Sequence, residues 1–181
     1  MRILGVDPGS GATGFGLIER RGHTVFHLCH GVLRPPSSAT LPERLRFLHA
    51  RLLAIIEAEA PRVAVVERVF LASNPHSALV LGQARGALLA SLGAGGIRVA
   101  ELAARQVKKS ITGNGAADKA QMQAMVQRLL SLEVAPPTDA ADALALALTY
   151  AQAGPLAELP VRGRRRSRRR AMTGLVLGRT R

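Results

Sequence analysis

Residues 63–66, with the sequence VAVV, form an apolar run that stops abruptly at an acid, Glu67. Side chains alternate between the two faces of a β-strand, so a strand that is apolar at every position must be covered on both sides. Such strands lie in the centre of α/β sheets, between layers of helices. Residues 41–58 precede this run and have leucine and isoleucine at helical spacing. We therefore predict an α/β domain with a strand–helix–strand crossover.

The other apolar segments predict a five-stranded mixed sheet, with three antiparallel strands followed by parallel strands and with helices on its faces. Strands are predicted over residues 3–6, 14–19, 24–33, 63–66 and 97–101. Helices are predicted over residues 41–58, 76–92, 103–111, 119–132 and 139–153. The second and third strands are joined by a hairpin turn at residues 20–23. Thr138 is the expected N-cap of the last helix.

The charge of the chain indicates a polyanionic partner or an anionic surface. The 181 residues have a formal net charge of +13, and 48% of them are hydrophobic, which is enough for one full core. We predict one domain over residues 1–153 and an Arg-rich, disordered tail over residues 154–181. Residues 162–181 hold nine Arg and no acid, so residues 1–161 have a charge of 13 minus 9, or +4. The tail either attracts phosphates or only adds solubilising charge.

No segment indicates export or membrane insertion. The first apolar run stops at Asp7, too early for a signal-peptide core, and no apolar stretch reaches membrane-spanning length. The single cysteine, Cys29, excludes an internal disulfide framework, and we predict a cytoplasmic location. His27, Cys29 and His30 resemble zinc ligands, but alternation along a strand would point His30 away from the other two. We therefore predict no zinc site there.

Four acids lie at the ends of predicted elements. Asp7 and Glu67 each follow an apolar strand, and Asp139 and Asp142 lie three residues apart in the first turn of a helix. If the strands of Asp7 and Glu67 are parallel neighbours, their carboxyl ends form the crevice in which α/β sheets usually bind ligands. Clustered carboxylates repel one another unless cations compensate, and an all-oxygen set suits Mg²⁺ or Mn²⁺. Two such ions, about 4 Å apart, would support hydrolytic nicking of a phosphodiester.

Simpler roles are open for some of these acids. Asp139 and Asp142 could complement the dipole of their helix, and Asp7, which precedes Pro8 and Gly9, could be a turn residue. Glu67 is harder to explain in this way, because a charged side chain that ends a buried strand seldom lacks a partner or a metal. Taken together, the four acids favour the metal site.

Eight short motifs add a family resemblance over about residues 1–153 through their order and spacing. They are residues 5–9 (GVDPG), 13–16 (TGFG), 66–70 (VERVF), 77–86 (SALVLGQARG), 106–108 (QVK), 113–115 (GNG), 117–121 (ADKAQ) and 139–144 (DAADAL). With these motifs the sequence resembles the RuvC Holliday-junction resolvases, a branch of the RNase H-like superfamily. The resemblance implies an RNase H-like fold and a homodimer, each subunit of which nicks one strand of a four-way DNA junction.

The same resemblance implies particular site residues and partners. Its catalytic acids correspond to Asp7, Glu67, Asp139 and Asp142. It further implies a preferred cleavage sequence and cooperation with the RuvA and RuvB branch-migration proteins.

Further candidate residues surround the acids in the sequence. Phe70 could stack on an unpaired base or belong to the core, and the resemblance favours stacking. Lys108 and Lys119 could hold a phosphate or offset charge in the transition state, and the resemblance places both beside the acids. Arg85 and Lys109 are candidate contacts to the DNA backbone. The loop over residues 113–115 could offer amides to a phosphate, although a plain turn explains it equally well.

Two other functions are compatible with parts of the pattern. An actin-like ATPase also binds phosphate at an Asp followed by a glycine-rich hairpin, but it needs two lobes, for which 181 residues leave little room. A noncatalytic DNA-binding or scaffold protein would use only the basic surface. Cleavage of DNA, binding without cleavage and hydrolysis of ATP distinguish the three hypotheses.

Overall fold

The computed structural model describes residues 1–9, 11–68 and 74–153. The strands are β1 (Arg2–Asp7), β2 (Thr13–Arg21), β3 (Thr24–Leu33), β4 (Val63–Arg68) and β5 (Arg98–Ala103). They form one sheet in the order β3-β2-β1-β4-β5. β1 is antiparallel to β2, and β2 to β3, whereas β4 is parallel to both β1 and β5. The predicted mixed sheet is confirmed.

Helices cover both faces of the sheet. They are α1 (Leu41–Glu59), α2 (Pro75–Ala94), α3 (Ala104–Thr112), α4 (Lys119–Leu129) and α5 (Thr138–Ala153). Val63 and Val65 of β4 belong to a core that includes α3, α4 and α5, whereas Ala64 and Val66 belong to a second core with α1 and α2. All four side chains are fully buried. The apolar run in β4 is therefore explained by a three-layer fold.

Two helix ends differ from the prediction for local reasons. Thr138 is the first residue of α5 rather than its N-cap, because the Ala141 amide donates to the Pro137 carbonyl at 2.8 Å and starts the helix one residue earlier. α4 ends at Leu129 instead of continuing to residue 132. Ser131 has a left-handed backbone with φ of 50°, which stops the helix and is not visible in the hydrophobic periodicity.

A β-bulge in β3 overturns the predicted orientation of His30. Leu17 pairs with Cys29 but the next residue, Ile18, pairs with His27, so one residue of β3 has no partner and the alternation of side chains is interrupted. As a result, His27 Nε2 and His30 Nδ1 lie 2.8 Å apart. Burial, and secondarily the charge of His30, lower the pKa of His27.

Two further predictions concern the Arg-rich tail and membrane insertion. The Arg-rich tail over residues 154–181 lies outside the described residues, so the division into domain and tail stays a prediction. Among the helices that the structure describes, none combines the length and apolarity needed to cross a bilayer.

Candidate active site

The carboxyl ends of β1 and β4 bring two acids together. These strands are parallel neighbours, and their last paired residues are Val6 and Val66. Asp7 and Glu67 follow these residues directly, and their side chains are hydrogen-bonded to each other. The predicted crevice between two parallel strands therefore exists.

The other two acids come from the start of α5, with Asp139 in its first turn and Asp142 three residues further on, and this helix packs unusually close to the sheet. A Cβ atom at Gly5 in β1 would overlap the carbonyl oxygen of Ala143, and one at Gly14 in β2 would overlap that of Asp139. Because both clashes involve the helix backbone, only glycine at these positions allows α5 to pack this close to the sheet. Gly14 is the antiparallel partner of Asp7, so this close approach places the start of α5 beside the Asp7 carboxylate.

All four predicted acids line one cleft with a volume of about 440 Å³. Two lysines, Lys108 from α3 and Lys119 from α4, also border it. The remaining wall is largely apolar. Its residues are Pro8, Gly9, Ala104, Val107, Met122 and Leu146.

Burial and mutual repulsion perturb the acids in this cleft. Burial is the main cause that raises the pKa of Asp7, from 3.8 to about 8, and the nearby charges of Glu67 and Asp142 add to it. Burial also raises the pKa of Asp142, but the positive charges of Lys119 and Lys108 act in the opposite direction. Strongly raised carboxyl pKa values in a cleft are typical of functional sites. Asp7 therefore holds a proton near neutral pH that a divalent cation would displace.

This raised pKa predicts a specific dependence of stability on pH. Between pH 3.8 and about 8 the folded chain retains a proton on Asp7 that the unfolded chain releases. The contribution of this protonated carboxyl to the free energy of unfolding is therefore complete at low pH and is lost as the pH rises. Asp7→Asn removes the cost of ionising this group. We expect the variant to gain stability relative to the native chain as the pH rises from 5 to 8, by about 1 to 3 kcal/mol. Thermal unfolding of both proteins at these two pH values measures the gap, and a constant gap would contradict the assignment.

The donor set fits a hard divalent cation. All four acids offer oxygen ligands, which Mg²⁺ and Mn²⁺ prefer. Among residues 1–9, 11–68 and 74–153, no three acidic, histidine or cysteine side chains are already arranged around one point. Asp7 is hydrogen-bonded to Glu67, and Asp139 Oδ2 lies 3.6 Å from a guanidinium nitrogen of Arg34. Binding of an ion therefore requires rotation of these side chains and loss of the proton on Asp7.

The candidate lysines and the candidate arginine lie in three different places. Lys108 and Lys119 border the cleft, as the resemblance implied. Lys109 instead lines a neighbouring pocket on the other side of α3. Arg85 points inward and contacts Glu101 and the main chain of Glu67.

Phe70 lies outside the described residues. The loop over residues 113–115 has little spare donor capacity, because the amide of Gly113 donates to the Lys109 carbonyl and that of Asn114 to the Thr112 hydroxyl. A structural turn is thus the better explanation of its glycines.

Three residues near the site were missed by the sequence reasoning. Arg34 follows β3 and pairs with Asp139, 105 positions away in the chain. Glu101 in β5 pairs with Arg85 and, at 3.9 Å, with Arg68. Arg105 lines the same pocket as Lys109. No local motif signals the long-range pairs, whereas the spacing of Arg105 and Lys109, four residues apart in a helix, could have revealed their shared face.

The sheet order and the acid-lined cleft at the ends of β1 and β4 define an RNase H-like nuclease domain. A family model described as "Crossover junction endodeoxyribonuclease RuvC" matches residues 3–150. The chain belongs to this RuvC family.

Individual relatives agree over nearly all of their length. The chain is 49% identical to the crossover junction endodeoxyribonuclease RuvC of Burkholderia multivorans over 154 residues, which cover 85% of each protein. It is 46% identical to that of Acinetobacter baylyi over 180 residues, which cover 99% of this chain and 95% of the relative. The fold is similar to Thermus thermophilus RuvC in complex with a Holliday junction substrate, with a TM-score of 0.78, 33% identity and coverage of 83% and 93%.

Proposed function

We propose that this chain is a structure-selective endonuclease that resolves four-way DNA junctions by hydrolysing phosphodiester bonds. The observation that supports this best is the convergence of Asp7, Glu67, Asp139 and Asp142 on one cleft in a member of the RuvC family. Curated relatives are named as crossover junction endodeoxyribonucleases, and a related structure contains a Holliday junction. The four acids supply the oxygen ligands that such chemistry uses.

In this proposal the four acids hold Mg²⁺, or Mn²⁺, as two ions. When bound, the ions would lower the pKa of the attacking water and stabilise the leaving oxygen. The chain contributes the binding geometry: Asp7 gives up its proton, and the glycine-supported position of α5 holds Asp139 and Asp142 opposite the strand ends. Val107 and Leu146 form part of the apolar wall beside these acids.

The lysines of the cleft have a complementary role. Lys108 and Lys119 already offset the negative charge of Asp142, as the direction of their effect on its pKa indicates. Next to a scissile phosphate they would stabilise the negative charge that develops on its oxygens. Lys108 comes from α3 and Lys119 is the first residue of α4, and both line the same cleft as Asp7 and Glu67.

A wider DNA-binding surface would continue past α3. Arg105 and Lys109 line a pocket of about 540 Å³, and neither forms an ion pair with any residue that the structure describes. Unpaired cations of this kind contact backbone phosphates and fix the orientation of the duplex. The Arg-rich tail would add attraction that weakens with salt. Phe70 remains a proposed stacking residue, on the family resemblance alone.

Assembly and location are also proposals. A homodimer would place two clefts on one junction, and Leu79 of α2, which is 62% exposed, offers an apolar contact for a second copy. Cooperation with RuvA and RuvB rests on the family resemblance, and a cytoplasmic location rests on the sequence prediction made from Cys29.

A cleavage assay tests the function. Labelled synthetic four-way junctions incubated with Mg²⁺ or Mn²⁺ should yield paired nicks that DNA ligase can reseal, with little action on plain duplex. No cleavage should occur when a chelator removes the divalent cation from the reaction. Tight junction binding without cutting under any divalent ion would favour a noncatalytic scaffold, and ATP hydrolysis without DNA cutting would favour the actin-like alternative.

A further inference from the structure

Arg85 of α2 reaches the main chain of a cleft acid from outside the cleft. Its Nε donates a hydrogen bond of 3.4 Å to the carbonyl oxygen of Glu67, and one of its terminal nitrogens pairs with the Glu101 carboxylate. Only 20% of its side-chain surface is accessible. A guanidinium that is largely covered and already has two partners is poorly placed to contact a phosphate.

This contact lies where the sheet gives Glu67 less support. The ladder between β1 and β4 ends at the pair of Val6 and Val66, one residue before Glu67. On the other side β5 still pairs with Glu67 through Leu102. The main chain of Glu67 is thus supported by one neighbouring strand and by Arg85, which ties it to α2.

Glu101 completes this arrangement. It pairs with Val66 in the register of β4 and β5, directly beside the strand end. Its carboxylate compensates the charge of Arg85 and is also within 3.9 Å of Arg68 Nε. A partly buried pair with an additional hydrogen bond to the backbone has a defined geometry, because the planar guanidinium fixes both acceptors at once.

We propose that Arg85 and Glu101 are positioning residues that hold the main chain of Glu67 in the position from which its carboxylate binds a divalent cation. Arg85 then acts through Glu67 and does not bind DNA. This inference rests on the proposed metal-dependent function of the cleft. Its consequence is a change in metal requirement while junction affinity stays the same, because residues that orient metal ligands affect metal binding, typically by about 10- to 100-fold.

The test compares Arg85→Gln with Arg68→Gln as a matched control. Both variants remove one arginine from Glu101, but among the described contacts only Arg85 also reaches the Glu67 carbonyl. Arg85→Gln should raise the Mn²⁺ concentration that gives half-maximal cleavage by about tenfold or more. Junction affinity, measured in Ca²⁺, should remain near the native value. Arg68→Gln should leave the metal requirement close to that of the native protein.

A second readout is independent of cleavage. The rise in melting temperature on addition of Mn²⁺ should be smaller for Arg85→Gln than for the native chain and Arg68→Gln, because weaker binding gives less stabilisation. This comparison stands even if the native protein does not cut junctions, so failure of the proposed function and failure of the positioning role are distinguishable. Weaker junction binding by Arg85→Gln with an unchanged metal requirement would overturn the proposal and identify a DNA contact.

A double variant covers the case in which Arg85→Gln alone does not fold. Arg85→Gln with Glu101→Gln removes both charges, so the partly buried Glu101 carboxylate is not left with only its 3.9 Å contact to Arg68. Glutamine is shorter than arginine and cannot span both former acceptors. The double variant should therefore fold but retain the raised metal requirement, and a native metal requirement in this folded variant would count against the proposal.

Discussion

Replacement of Glu67 by Gln is expected to reduce junction cleavage by roughly 10³-fold or more, since loss of several kcal/mol of metal-mediated stabilisation has an effect of this size. Gln has nearly the same shape but no charge, so it removes a metal ligand without opening a cavity. Glu67 is hydrogen-bonded to Asp7 and lines the cleft with the other acids, so a neutral side chain at this position weakens cation binding. Junction affinity should stay nearly native, because contacts to the DNA backbone come from other residues.

The measurement is single-turnover cleavage of a labelled junction, with binding followed separately in Ca²⁺. Glu57→Gln is the matched control: Glu57 is exposed on α1, on the opposite face of the sheet from the cleft, and should leave both properties unchanged. If Glu67→Gln lost junction binding as well as cleavage, Glu67 would have a structural role and the metal assignment would be wrong.

The second large effect is expected from Gly14→Ala. The added methyl group would overlap the carbonyl carbon and oxygen of Asp139, and these backbone atoms can move only if the start of α5 moves. Overpacking of this kind typically destabilises a protein by about 1 to 3 kcal/mol, and sometimes by more. The same displacement shifts Asp139 and Asp142 away from the strand ends, so we also expect cleavage to fall far more than stability alone would explain.

Urea unfolding and cleavage at saturating metal measure the two effects. Gly11→Ala provides the comparison, because a Cβ at this exposed glycine meets no atom within 4 Å. Its unfolding free energy should change by less than about 0.5 kcal/mol. A Gly14→Ala variant that folds and cuts like the native chain would mean that α5 does not depend on this close contact.

Both predictions depend on the arrangement of the four acids, which could be predicted from the sequence only in part. Asp7 and Glu67 could be selected because each ends an apolar strand, and the structure places both in a cleft that residues of α5 also line. The spacing of three between Asp139 and Asp142 correctly placed both on one side of a helix. These patterns are local, so a linear sequence contains them. The sequence did not determine whether β1 and β4 are neighbours. The order of strands in a sheet depends on the path of the whole chain, which local sequence patterns do not show.

Irregular backbone accounts for most of the errors. One unpaired residue in β3 placed His27 next to His30, although strict alternation separates them. A left-handed Ser131 ended α4 before the hydrophobic pattern did. In both cases the side-chain pattern assumes a regular repeat, and one residue with different torsion angles breaks it.

The amino-acid sequence by itself determined the strands and helices and the identities of the four acids, because apolar periodicity and residue chemistry are properties of short segments. Only the tertiary structure decided that α5 lies close enough to the sheet for these acids to share one cleft, and that Arg34 pairs with Asp139 and Arg85 with Glu101. Those relations join residues that are distant in the chain, and they depend on the distances at which whole layers pack.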